Sequence, residues 1–104
     1  MYCHFTILAY CDRLRQVDPA VRFKALGHPV RLGIALRLAQ EPDGTCACDF
    51  ADIFGVSQPT VSQHLKVLRE AQLVSTRRKG NQIYYTLDAV AAQELLGVLT
   101  QLAA

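Results

Sequence analysis

Hydrophobic positions along this chain follow helical periods for most of its length, then alternate over one short pair of segments, then return to a helical period. Cys3, Ile7, Tyr10, Leu14 and Val17 recur at steps of four and three, one face of a helical arm over residues 1–17. Asp18-Pro19 starts the next helix, an N-cap followed by proline at the first helical position, and Gly27 ends it just after Leu26. Pro29 opens a helix to about Gln40, with Leu32, Ala35, Leu36 and Ala39 as its apolar stripe. Glu41-Pro42-Asp43-Gly44 is a turn by composition, and a short helix follows from about Ala47 to Phe54 or Gly55. Gly55-Val56-Ser57 turns into a fourth helix, capped by Ser57, on which Val61, Leu65, Leu68 and Gln72 mark one face. Leu73–Thr76 and Gln82–Leu87 suit strands; in the second, Ile83, Tyr85 and Leu87 alternate with Gln82, Tyr84 and Thr86. Asp88 caps a last helix whose apolar face, Ala91, Leu95, Val98 and Leu102 flanked by Ala92, Leu96 and Leu99, is too broad for one small domain to cover. Half of a symmetric dimer interface accounts for the excess.

These elements give a mainly α fold with a β-hairpin wing, α-α-α-α-β-β-α preceded by the arm, in which residues 18–104 form one domain of a homodimer. The stretch from Ser57 to Leu87 carries the chemistry. A polar face on an amphipathic helix is by itself only a solvated surface. Here that face carries Gln63, Lys66 and Glu70, flanked by Thr60 and Ser62; with Ser57 and Gln58 at the helix start and His64 beside the apolar stripe, the helix offers amides, hydroxyls and a cation that suit base edges and phosphates in a major groove. It is followed by Arg77-Arg78-Lys79-Gly80-Asn81, a Gly-Asn turn loaded with cations that repel one another and favour an anionic partner. A helix-turn-helix followed by such a hairpin is the winged-helix pattern, and double-stranded operator DNA is the expected partner.

Charge distribution sharpens this reading although the net charge is only +2. Between residues 57 and 82, Lys66, Arg69, Arg77, Arg78 and Lys79 are opposed by Glu70 alone, whereas Glu41, Asp43, Asp49 and Asp52 meet no cation between residues 41 and 56. Phe5–Tyr10 is too short and too poorly flanked for a signal peptide, and nothing approaches a membrane span, so a cytoplasmic protein is expected. The chain has no Gly-rich phosphate loop, Ser/His/Asp constellation or facing carboxylate pair, so neither an enzyme nor a protein substrate is expected.

Four cysteines in such a chain point to thiols or metal ligands rather than a disulfide framework. Cys46 and Cys48 could be two small buried hydrophobes. Their polar neighbours Asp49 and Asp52, and their place at a helix start where the dipole favours thiolate, argue for soft-ion ligands instead. His28 and His64 suit packing or a phosphate contact better than a metal, and His4 beside Cys3 is a minor ligand candidate.

Phe23–Leu32, Cys46-Ala47-Cys48-Asp49-Phe50, Ser57–Arg69 and the hairpin through Tyr85 together resemble the ArsR/SmtB family of metal-sensing winged-helix repressors. That resemblance implies a homodimer repressing a metal(loid)-resistance operon, with Cys46 and Cys48 at the positions that bind arsenite, antimonite, cadmium or lead. A third cysteine often found in arsenite-type sites is Ala51 here, and Val90 stands where zinc-type sites carry a histidine, so zinc is not expected. Cadmium/lead members also draw ligands from the arm, which makes Cys3 and Cys11 candidates.

Arsenite takes three thiolates in a pyramid, whereas cadmium and lead accept a fourth. On a helical arm Cys3 and Cys11 are about 12 Å apart along the axis, so one of them joins the site, and Cys11 is nearer the folded domain. As(III) or Sb(III) on Cys11, Cys46 and Cys48 is therefore the expected inducer; Cd(II) or Pb(II) with Cys3 as an added ligand, or a thiol-redox switch, are the alternatives. If residues 46–48 are helical, their side chains point about 200° apart around the axis, and a shared ion would unwind the helix start.

Overall fold

The computed structural model describes residues 17–104; the arm expected over 1–17, with Cys3 and Cys11, falls outside the described residues except for Val17. The chain forms α1 (Pro19–Leu26), α2 (Pro29–Ala39), β1 (Thr45–Cys46), α3 (Ala47–Phe54), α4 (Gln58–Glu70), β2 (Val74–Lys79), β3 (Gln82–Leu87) and α5 (Ala89–Ala103). The helix starts follow their caps. Asp18 accepts from the Ala20 amide at 2.9 Å, Ser57 from Thr60 at 3.3 Å and Asp88 from Ala91 at 3.0 Å. His28 caps α2 through Nδ1, which accepts from the Val30 amide at 3.1 Å.

Phe50, Ile34, Leu38, Leu65, Leu68, Leu73 and Val61 fill the core between the helices and the hairpin. Gly33 permits the close approach of α2 to α3, since a Cβ there would lie 2.6 Å from a Phe54 ring carbon. On α2 the stripe read from the sequence needs correction. Ile34, Ala35 and Leu38 face the core, whereas Leu32 and Leu36 remain 44% and 59% exposed. Those two leucines line an apolar groove of about 290 Å³ shared with Leu26, Leu95, Leu96 and Leu99, so much of the apolar surface on α2 faces outward.

Two boundaries also differ from expectation. Gln72 does not continue α4: it adopts φ 59°, and Leu73 N–H donates to the Leu68 carbonyl at 3.0 Å. This exit turns Leu73 into the core, where it starts the run into β2. β2 extends through Lys79, pairing with β3 from Val74↔Leu87 to Lys79↔Gln82, so the connection shrinks to Gly80-Asn81 with Gly80 at φ 65°. Arg77, Arg78 and Lys79 therefore belong to the strand rather than to the turn.

β1 is an element the hydrophobic pattern did not announce. Thr45 and Cys46 pair antiparallel with Tyr85 and Tyr84, completing a sheet in the order β1-β3-β2.

Candidate nucleic-acid interface and thiol pair

α4 presents the face expected of a reading helix. Val61, Leu65 and Leu68 are buried, while Ser57, Gln58, Thr60, Ser62, Gln63 and Lys66 are exposed. Ser57 donates its hydroxyl to that of Thr60 at 2.9 Å, so these two side chains hold one another at the helix start. His64 differs from its neighbours. Its ring is half-buried, with its centroid 4.5 Å from that of His28 and Nδ1 3.4 Å from the Arg31 guanidinium. Burial, then the charges of His28 and Arg31, hold its pKa below the ordinary 6.5. Arg31 itself donates to the Ala25 carbonyl, so it is tied down at the α1–α2 junction rather than free in solvent.

The hairpin carries cations on both faces. Opposed residues of an antiparallel pair share a face, so Arg77 lies with Tyr84, and Arg78 with Ile83 on the opposite face. Lys79 Nζ stands 5.9 Å from the Tyr84 ring centroid, and Arg77 donates to the Asp43 carbonyl at 3.4 Å. All three cations are exposed.

Cys46 and Cys48 come together where β1 becomes α3. Cys46 is the N-cap in extended geometry, φ −77° and ψ 147°, and Cys48 lies in the first helical turn. The change of backbone direction removes the roughly 200° divergence of an all-helical pair, and the Cys48 thiol donates to the Cys46 sulfur at 3.2 Å. Metal–thiolate bonds run at about 2.3 Å for zinc, so sulfurs sharing such an ion lie within about 4.6 Å of each other. This pair already meets that distance without helix unwinding. The expectation of a favoured thiolate does not hold for Cys48 as it stands. Its hydrogen bond to Cys46 is the largest of several influences raising its pKa above the ordinary 9.0, followed by burial and the charges of Cys46 and Asp49. A soft cation bound by both sulfurs would displace the proton of each thiol.

Among the described residues, no three His, Cys, Asp or Glu side chains are grouped to hold a metal ion. The two sulfurs stand as a pair, and Cys3 and Cys11 fall outside the described residues. Sequence reasoning missed Tyr84 as the strand partner of Cys46, because a two-residue strand has too few positions to show a period.

A capped reading helix beside a cationic hairpin defines a winged helix-turn-helix DNA-binding protein. The chain belongs to the arsR family of bacterial regulatory proteins, whose family model matches residues 28–76. It is 40% identical over 80 residues to the arsenical resistance operon repressor of Bacillus subtilis, covering 77% of this chain and 72% of that protein. A cadmium resistance transcriptional regulatory protein CadC homolog of Staphylococcus aureus is 36% identical over 80 residues, covering 77% and 65%. The crystal structure of a possible transcriptional regulator for arsenical resistance matches with a TM-score of 0.71 at 28% identity, covering 80% of this chain and 84% of that one. The chain is accordingly a transcriptional repressor of this family, a class without enzymatic activity. No helix among the described residues is long and apolar enough to cross a membrane.

Proposed function

We propose that this repressor binds its operator as a homodimer and leaves it when arsenite or antimonite binds Cys46, Cys48 and one arm cysteine, with Cys11 the third ligand. The 3.2 Å approach of the Cys46 and Cys48 sulfurs carries the reading, because it supplies two thiols poised for one soft ion. The similarity to an arsenical resistance repressor supports the same ion, and that to a cadmium resistance regulator keeps Cd(II) or Pb(II) with Cys3 as the second reading. The groove lined by Leu32, Leu36, Leu96 and Leu99 supports the homodimer, since it leaves apolar surface for a second copy to cover.

Release follows from the sheet rather than from helix unwinding. Cys46, Tyr84 and Arg77 stand in one row across β1, β3 and β2. An ion that pulls Cys46 toward the arm strains β1 against β3 and re-aims the hairpin that carries Arg77, Arg78 and Lys79. The decisive experiment is X-ray absorption of the arsenite-bound protein together with DNA release. Three sulfurs on arsenic and dissociation by arsenite are expected; four sulfurs on cadmium, with release by cadmium only, would replace this reading by the second.

A further inference from the structure

Arg22 has no part in the proposed ion site and lies on the first described helix, yet it reaches the end of the reading helix. It is 5% exposed and donates through Nε to the Ala71 carbonyl at 3.1 Å and through Nη1 to Glu94 at 2.6 Å. Ala71 is the residue at which α4 ends, is itself buried, and precedes Gln72 with its left-handed φ of 59°. A carbonyl just past a helix end has no helical donor, and a buried one needs a partner. Glu94 belongs to α5, the helix that also presents Leu96 and Leu99 on its exposed side. One guanidinium thus spans three helices, fixing the exit of α4 relative to α1 and α5.

We infer that Arg22 is a positioning residue for sequence readout: by holding the Ala71 carbonyl and Glu94 together it sets the angle at which α4 and the following hairpin are presented to DNA. The inference rests on the family's DNA-binding role and not on the identity of the inducing ion. Base contacts require the reading helix to be held within a narrow geometry, whereas phosphate attraction tolerates small rotations. Loss of Arg22 therefore reduces discrimination between sequences more than it reduces attraction to DNA as such. A lysine cannot substitute, since its single ammonium lacks the planar fork that meets two acceptors at once.

The test uses a duplex selected by the wild-type chain from a random-sequence pool and an unselected duplex of equal length. Arg22→Lys keeps a cation for Glu94 and is expected to lose about tenfold in selected-over-unselected preference, the scale of one lost base contact. Its salt slope on unselected DNA should match wild type, since a buried Arg22 meets no phosphate. The paired variant Arg22→Leu/Glu94→Leu replaces the ion pair by an apolar pair but leaves the Ala71 carbonyl without its donor; it is expected to regain part of the thermal stability that Arg22→Leu alone loses while remaining unselective. Glu94→Gln leaves an acceptor for the guanidinium and should retain preference. Wild-type preference in Arg22→Lys, or in the paired variant, would overturn the inference, as would a preference that simply tracks melting temperature across the set.

Discussion

The imidazoles of His28 and His64 stand 4.5 Å apart, centroid to centroid, where the start of α2 meets the reading helix. Burial, the charge of His28 and the charge of Arg31 all disfavour a proton on His64 and lower its pKa from the ordinary 6.5. The unfolded chain therefore takes up that proton at a higher pH than the folded one. The contribution of the neutral ring to stability is fully present above about 6.5 and is lost as pH falls through the depressed folded value. Thermal melts between neutral and mildly acidic pH should show wild type losing stability on acidification more steeply than His64→Gln. Identical pH slopes would remove His64 from the account.

The paired sulfurs lead to a different kind of dependence. In the proposed ligand set, Cys46→Ser and Cys48→Ser each remove one of the two adjacent thiols, and Cys11→Ser removes the third. All three should retain DNA binding and lose release by arsenite, because a three-sulfur site cannot close with two. Cys3→Ser should respond nearly as wild type. Gel-shift titrations with arsenite check this, and a Cys11→Ser protein that leaves DNA at wild-type arsenite concentrations would sink the three-sulfur assignment.

Variants of Gln63 and Arg78 would tell base readout from phosphate attraction. Gln63 is exposed on the reading helix, and Arg78 is exposed on the hairpin. Gln63→Ala should cost about 1–3 kcal/mol on a duplex selected by the wild-type chain and little on unselected DNA. Arg78→Ala should weaken both alike and lower the salt slope by about one. Fluorescence anisotropy across a salt series measures both quantities. Equal losses on the two duplexes for Gln63→Ala would exclude it from base readout.

Much of this architecture was legible because caps and periods are local signals. Asp18, Ser57 and Asp88 each announce a helix start, and Val61, Leu65 and Leu68 announce which face of α4 is buried. What stayed hidden depends on contacts between distant residues. The Arg22 pairing with Ala71 and Glu94 spans 49 and 72 positions, and a lone arginine in an amphipathic helix reads as solvated. The Cys46–Cys48 geometry stayed hidden for a related reason. It depends on β1, which exists only because Tyr84 and Tyr85 supply its partner strand. On α2 the periodicity correctly indicated a helix, but it could not tell the leucines facing the core from those left for a groove.

That distinction decides which leucine can test assembly. Leu95 is 5% exposed within a single subunit, so replacing it by glutamate would damage the core before it tested any dimer seam. Even Leu95→Ala should cost about 2–5 kcal/mol of stability. Leu99, 48% exposed on the groove, is the better probe. If the groove is the seam of the proposed homodimer, Leu99→Glu should keep its helical circular dichroism and sediment as a monomer at concentrations where wild type sediments as a dimer. A dimer that survives this charge would place the interface elsewhere.

Two routes lead from the sulfurs: unwinding of α3, and strain carried along the row Cys46, Tyr84 and Arg77. Unwinding would be required only if residues 46–48 were all helical, since the two side chains would then diverge. With Cys46 extended and its sulfur 3.2 Å from that of Cys48, an ion can bridge them at little cost to the helix. The main-chain pairing of β1 with β3 is only two residues long, Thr45↔Tyr85 and Cys46↔Tyr84, so it is the part of this region most easily disturbed. Stoichiometric arsenite should leave the hydrogen-exchange protection of Phe50 and Ala51 on α3 essentially unchanged. The amides of Tyr84 and Arg77 should shift in NMR spectra, and the cysteine-to-serine variants should abolish those shifts. Loss of protection along α3 with Tyr84 and Arg77 unmoved would return the mechanism to helix unwinding.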